Sequence, residues 1–189
     1  MLIDYHTHVN FAAFKDDADE VVKRAQEAGV FMVLIGSQID TSRRAVEMAA
    51  RYEKGVWAAV GLHPIHLENI QVDEEEDHFA TRAEVFDPAA YRALAQYGKV
   101  VAIGETGLDY FRIGDGEARA KEKQKELFIK HIELAQRVKK PLIIHCRDAH
   151  NDLFKLLKAI SSSTVLSSLP KGYKLTPSPG VMHFFTGTK

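Results

Sequence analysis

The sequence predicts an α/β fold built on a parallel sheet or barrel, and three observations carry that expectation. Short apolar runs recur along the chain, and each is followed by a polar or helically spaced stretch. Several runs, such as "FMVLIG" and "PLIIHC", are apolar at consecutive positions, as strands covered on both faces are. Strand then helix, repeated, makes the strands parallel and the helices their crossovers.

Taken in order, strands are expected at Leu2–His8, Val30–Ser37, Val56–His63, Val100–Gly104, Pro141–Cys146 and Val181–Phe185. Helices are expected at Ala18–Ala28, Ser42–Tyr52, Pro88–Tyr97, Glu117–Lys139 and Asn151–Ile160. In the longest of these, Leu127, His131, Leu134 and Val138 keep helical spacing among lysines and glutamates. Asp87-Pro88 supplies a capping carboxylate followed by proline in the first turn, and Gly29 and Gly98 stand where helices should stop. Two segments break the rhythm. "IQVDEEEDHFATRAEVF" is acidic and reads as a solvated, loop-like insertion. "SSSTVLSSLPKGYKLTPSPG" is rich in Ser and Pro and reads as a surface loop before the last strand.

Composition bounds the function without naming it. Of 189 residues, 46% are hydrophobic and 27% charged, which suits one globular domain or part of a larger one. A net charge of −1 gives no global basic field, so any nucleic-acid contact must be local. The lone Cys146 excludes an internal disulfide framework and fits a reducing compartment. No apolar run reaches the roughly 20 residues of a membrane span. Asp4, His6 and His8 interrupt the apolar start, so no signal core is expected there. A cytoplasmic protein is expected, with no membrane association and no protein partner indicated.

The chemistry collects at strand ends. "DYHTH" puts His6 and His8 two residues apart in a strand, hence on one face. "GLHP" places His63 at the end of the third strand, and "AIGETGLDY" places Glu105 and Asp109 after the fourth. "PLIIHCRDA" places His145 at the end of the fifth with Arg147 close behind, and "VMHFF" places His183 in the sixth. Any one of these histidines alone is more often a hydrogen-bonded structural residue than a ligand. Arriving in phase with the strands, the set points to the rim where parallel sheets and barrels build active sites. Imidazoles with a carboxylate suit Zn, Mn or a similar divalent ion, and a carboxylate can bridge two ions.

Other candidates are weaker. His66, His78, His131 and His150 fall in loops or on helices and read as solvated or packed. Cys146 reads as a small buried thiol, and Trp57 and Phe184 as core aromatics, although either ring could stack on a base. The glycines make no phosphate-loop pattern.

The stretches "IDYHTH", "GLHP", "AIGETGLDY", "PLIIHCRDA" and "MHFFTG" resemble, in order and spacing, the TatD family of metal-dependent DNases. The helix carrying Gln124, Phe128 and Ala135 is also similar to that family. The resemblance implies an amidohydrolase-like TIM (β/α)8-barrel and cleavage of DNA phosphodiester bonds by metal-activated water. It implies two divalent ions (Mg, Mn or Zn). His6 and His8 would bind the first ion, Glu105 would bridge both, and His145 and His183 would bind the second. Catalytic roles fall to Glu105 and Arg147, and substrate-binding roles to His63 and Arg147. Phe184 stands where family members often carry Cys.

The family also carries an Asp after a later strand, and the sequence stops at "HFFTGTK" after the sixth of the eight strands a closed barrel needs. The expectation is thus a single hydrolase domain over 1–189, an incomplete barrel with about six of eight strand–helix units. Two other functions compete with the nuclease. One is an amidohydrolase-like enzyme for an amide, ester or lactone; the other is an inactive fragment that only binds metal or nucleic acid.

Overall fold

A computed structural model describes residues 2–69, 71–74, 77–111, 113, 117–161 and 180–183. In chain order its elements are β1 (Leu2–Thr7), α1 (Ala18–Glu27), β2 (Val30–Ile35), α2 (Ile39–Ala50) and β3 (Val56–Val60). There follow β4 (Gln71–Glu74), β5 (Asp77–Ala80), α3 (Pro88–Ala95) and β6 (Val100–Asp109). The chain then continues through α4 (Glu117–Val138), β7 (Leu142–Arg147), α5 (His150–Ser161) and β8 (Gly180–Met182). Six strands form one parallel sheet in the order β1-β2-β3-β6-β7-β8, as the alternation of strand and helix predicts.

Both faces of this sheet carry apolar side chains, and the strand period sorts them. Met32 and Leu34, Ala58 and Val60, and Leu142 and Ile144 face the helices, where Val22, Ala45, Val46, Phe128 and Leu153 complete the main core. Val33 and Ile35, Ala59, Ala102 and Ile143 face the other way and make a smaller cluster. On β7, His145 and Arg147 continue the side of Ile143, so the candidate chemistry belongs to the inner face.

Three expectations are corrected. The fourth strand runs on from Gly104 to Asp109, so Glu105 and Asp109 lie within it rather than after it. Pairing with β7 (Thr106 with Ile144, Gly107 with His145, Asp109 with Arg147) sustains a strand that the apolar pattern alone would end. The acidic insertion is no simple loop, because β4 and β5 pair in an antiparallel hairpin. Backbone pairing needs no apolar side chains, so hydropathy does not reveal it. The third strand stops at Val60, and His63 instead caps the one-turn helix Pro64–Leu67, its Nδ1 accepting from the Ile65 N–H at 3.2 Å. Phe184, Phe185 and positions 162–179 of the Ser/Pro-rich stretch lie outside the described residues.

Candidate metal centre

Glu105 is the hub. It is 4% exposed, and imidazoles from β1, from β7, from the residue after β8 and from the helix cap after β3 approach its carboxylate. His6 Nε2 lies 3.3 Å from Oε2, while His145 Nδ1 lies 3.0 Å and His63 Nε2 3.6 Å from Oε1. His183 Nε2 also contacts Oε1. His8 joins through His6, the two Nε2 atoms standing 3.2 Å apart. Thr7, between them, points away and donates its hydroxyl to the Val33 carbonyl at 3.1 Å, which fixes the end of β1 on β2.

Asp109, four residues along β6 from Glu105, supports the far side of His145. Its Oδ2 lies 3.0 Å from His145 Nε2, so this imidazole is held between two carboxylates. The Asp109 backbone is gripped by Gln124 of α4, which donates to its carbonyl and accepts from its N–H, both at 2.8 Å. Seven residues along the same helix, His131 accepts the Leu62 N–H at Nε2 (3.0 Å) and lies 2.9 Å from the Leu127 carbonyl through Nδ1. One face of α4 therefore holds the chain just before His63 and at Asp109. His131 and His66 are both buried, consistent with packed rather than solvated side chains.

The electrostatics follow from burial. Burial works to protonate Glu105, but the surrounding imidazoles outweigh it and hold the carboxyl well below the usual range. Burial opposes charge on His145, yet hydrogen bonds to Asp109 and Glu105 raise it to about 9. For His63 burial outweighs the pull of Glu105 and Asp109 and lowers it to about 3. Burial likewise lowers His8. Cys146 is a buried thiol that burial raises to about 11, in keeping with a packing role.

The donor set fits divalent ions. Ligand atoms about 2.1 Å from a tetrahedral ion stand roughly 3.4 Å apart. The His6–His8, His6–Glu105 and His145–His183 ring-nitrogen and oxygen separations are 3.2, 3.3 and 3.3 Å. Ligating atoms of His6, Glu105 and His183 lie within 4.8 Å of one another, as do those of His63, Asp109 and His145. The Nδ1 atoms of His6 and His8 are buried without a partner among the described residues. Their polar contacts among the described residues are therefore made at Nε2, while the ring faces pack on His183 and Phe11.

Of the residues singled out in the sequence, His6, His8, His63, Glu105, His145 and His183 come together. Arg147 follows His145 by two residues on the same face of β7, its guanidinium carbon 3.6 Å from the centroid of Phe111. Trp57 packs against the inner cluster and meets Phe31 edge-on. Asp109 was visible as a strand-end carboxylate but not as part of the set; the signal was the even spacing Glu105–Asp109, which in one strand shares a face.

The model of the TatD-related DNase family matches residues 3–189. The chain belongs to the TatD DNase family. Over 189 residues it is 36% identical to the uncharacterized metal-dependent hydrolase YabD of Bacillus subtilis, covering all of this chain and 62% of that protein. It is 33% identical to the 3'-5' ssDNA/RNA exonuclease TatD of Cronobacter sakazakii, covering all of this chain and 60% of that one. The solved structure of YJJV, a TatD homologue from Escherichia coli, superposes with a TM-score of 0.63 at 30% identity. That likeness covers 83% of this chain and 55% of YJJV. The chain thus spans about 60% of the length of these curated TatD-family relatives. The parallel sheet with its helices is of the TatD TIM-barrel type, as an incomplete barrel. No helix among the described residues is long and apolar enough to cross a membrane.

Proposed function

We propose that the protein is a divalent-metal-dependent phosphodiesterase that hydrolyses DNA. The observation that carries this reading is Glu105, a buried carboxylate with His6 at one oxygen and His145 and His183 at the other. His6, His8 and Glu105 would hold one ion, and Glu105, His145 and His183 a second. Bound there, the ions would supply Lewis-acid charge and a water acidic enough to act as nucleophile near neutral pH. TatD-family relatives named as a 3'-5' ssDNA/RNA exonuclease and a deoxyribonuclease support the substrate class.

The chain's own residues divide the remaining work. Asp109 faces His145 Nε2 and so directs Nδ1 toward Glu105 and His183, the usual task of a carboxylate behind a ligating histidine. His63 accepts a backbone N–H at Nδ1, which leaves its ring proton on Nε2, turned toward the site. It is therefore suited to donate to a substrate oxygen. Arg147 offers a planar fork of donors for the phosphate.

The test is chelation, reloading with Mn or Zn, and measurement of nucleotide release from single-stranded DNA. Activity should return with the ion and be absent in Glu105→Gln. Release in chelator, or undiminished release by that variant, would refute the mechanism. Hydrolysis of lactones or simple esters without any DNA cleavage would favour the amidohydrolase-like alternative.

A further inference from the structure

We propose that Phe111, braced by Arg147, is a stacking platform for one unpaired base beside the scissile phosphate, and so selects single-stranded substrate. The inference rests on the phosphodiesterase reading above and adds the element that would choose between paired and unpaired strands.

Phe111 is 52% exposed, although it stands two residues past Asp109 at the mouth of the candidate metal centre. About half of the ring is thus open to solvent and free to take a partner, while Arg147 packs against it. Its position is nonetheless fixed. The Phe111 N–H donates to Asp109 Oδ1 at 3.1 Å, and the other oxygen of that carboxylate holds His145. The neighbouring Tyr110 N–H donates to the Arg147 carbonyl at 2.8 Å, which ties the same turn to the end of β7. On β7, Arg147 shares the inner face with His145, and its backbone pairs in register with Asp109.

The Arg147 guanidinium lies over the Phe111 ring at 3.6 Å. Packing a planar cation against a ring costs none of its in-plane N–H donors, which can still serve a phosphate. A planar aromatic surface beside a phosphate-binding cation is the combination that grips unpaired nucleotides: the base stacks and the backbone is neutralised. A base within a duplex is already stacked on both sides and cannot use such a platform without being unpaired.

The test is binding, in chelator to prevent turnover, of a single-stranded oligonucleotide with 2-aminopurine at its terminal position. Stacking should quench the fluorophore on binding by the parent protein. Phe111→Ala should weaken binding roughly tenfold and abolish the quench, whereas Phe111→Trp should preserve both. Because the ring is exposed, thermal melts of Phe111→Ala should match the parent. Binding without quenching, or quenching that survives Phe111→Ala, would overturn the platform while leaving the phosphodiesterase reading intact. Absence of binding from a protein that still cleaves DNA would overturn it as well. Absence of both binding and cleavage would overturn the two together.

Discussion

His6 and His183 stack with ring centroids 3.9 Å apart and planes 19° apart, although β1 and β8 are the opposite edges of the six-stranded sheet. In a flat sheet of six strands spaced about 4.8 Å apart, the two edges would stand roughly 24 Å apart. The sheet therefore curls until side chains from its two edges, His6 on β1 and His183 just past β8, meet over Glu105. Divalent ions bound at that meeting point would tie the ends of the chain to its middle.

Ion binding should accordingly stabilise the fold. At an ion concentration a hundred times the Kd, linkage gives about 2.7 kcal/mol, or a rise in Tm of roughly 5–10 °C for a chain of this length. Glu105→Gln should remove most of that rise. Thermal melts with and without Mn or Zn decide it, and an equal rise in the variant would place the ions elsewhere.

Gln124→Leu should damage the site without touching it. The substitution strips both hydrogen bonds from the buried Asp109 backbone, at a cost of about 1–3 kcal/mol, and frees the carboxylate that orients His145. A lower Tm together with weaker ion binding is expected. Unchanged ion affinity by titration calorimetry would show that Asp109 keeps its place without the clamp.

His131 should make stability fall in acid. Burial lowers it from 6.5 to about 4, so the folded state keeps it neutral while the unfolded chain takes up a proton below 6.5. Its contribution is intact above pH 6.5 and is lost as pH falls toward 4, amounting to about 3 kcal/mol. His63 and His66 shift in the same direction, so the difference between proteins is the informative quantity. Urea midpoints against pH should fall less steeply for His131→Gln than for the parent. Parallel curves would argue against a neutral, buried His131.

Gly107→Ala should destabilise the fold strongly. Gly107 sits at φ +150°, and a Cβ there would come within 2.0 Å of the His145 carbonyl oxygen on the paired strand. A loss of about 3 kcal/mol or more is expected, with β6 pushed away from β7. Gly98→Ala is the control: a Cβ there meets nothing within 4 Å, and its melt should be close to the parent's. A stable Gly107→Ala protein would mean that the two strands can separate at little cost.

The sequence by itself determined the alternation of strand and helix, the burial of strands such as β2 and β7 on both faces, and the strand ends where polar groups collect. Those are local properties: periods of 2.0 and 3.6 and the position of Asp87-Pro88 do not depend on distant contacts. It also carried five family motifs in order. What only the tertiary structure decided depends on register and curvature. Glu105 and Asp109 belong to β6 because β7 pairs with that segment, whereas Gly104, Thr106 and Gly107 interrupt the apolar run that would announce a strand. The β4–β5 hairpin forms by backbone pairing within an acidic stretch that hydropathy reads as solvated. The gathering of His6, His63, Glu105, His145 and His183 requires a curled sheet. That curl comes from the cumulative twist of many paired strands, which is encoded in no single segment of the chain.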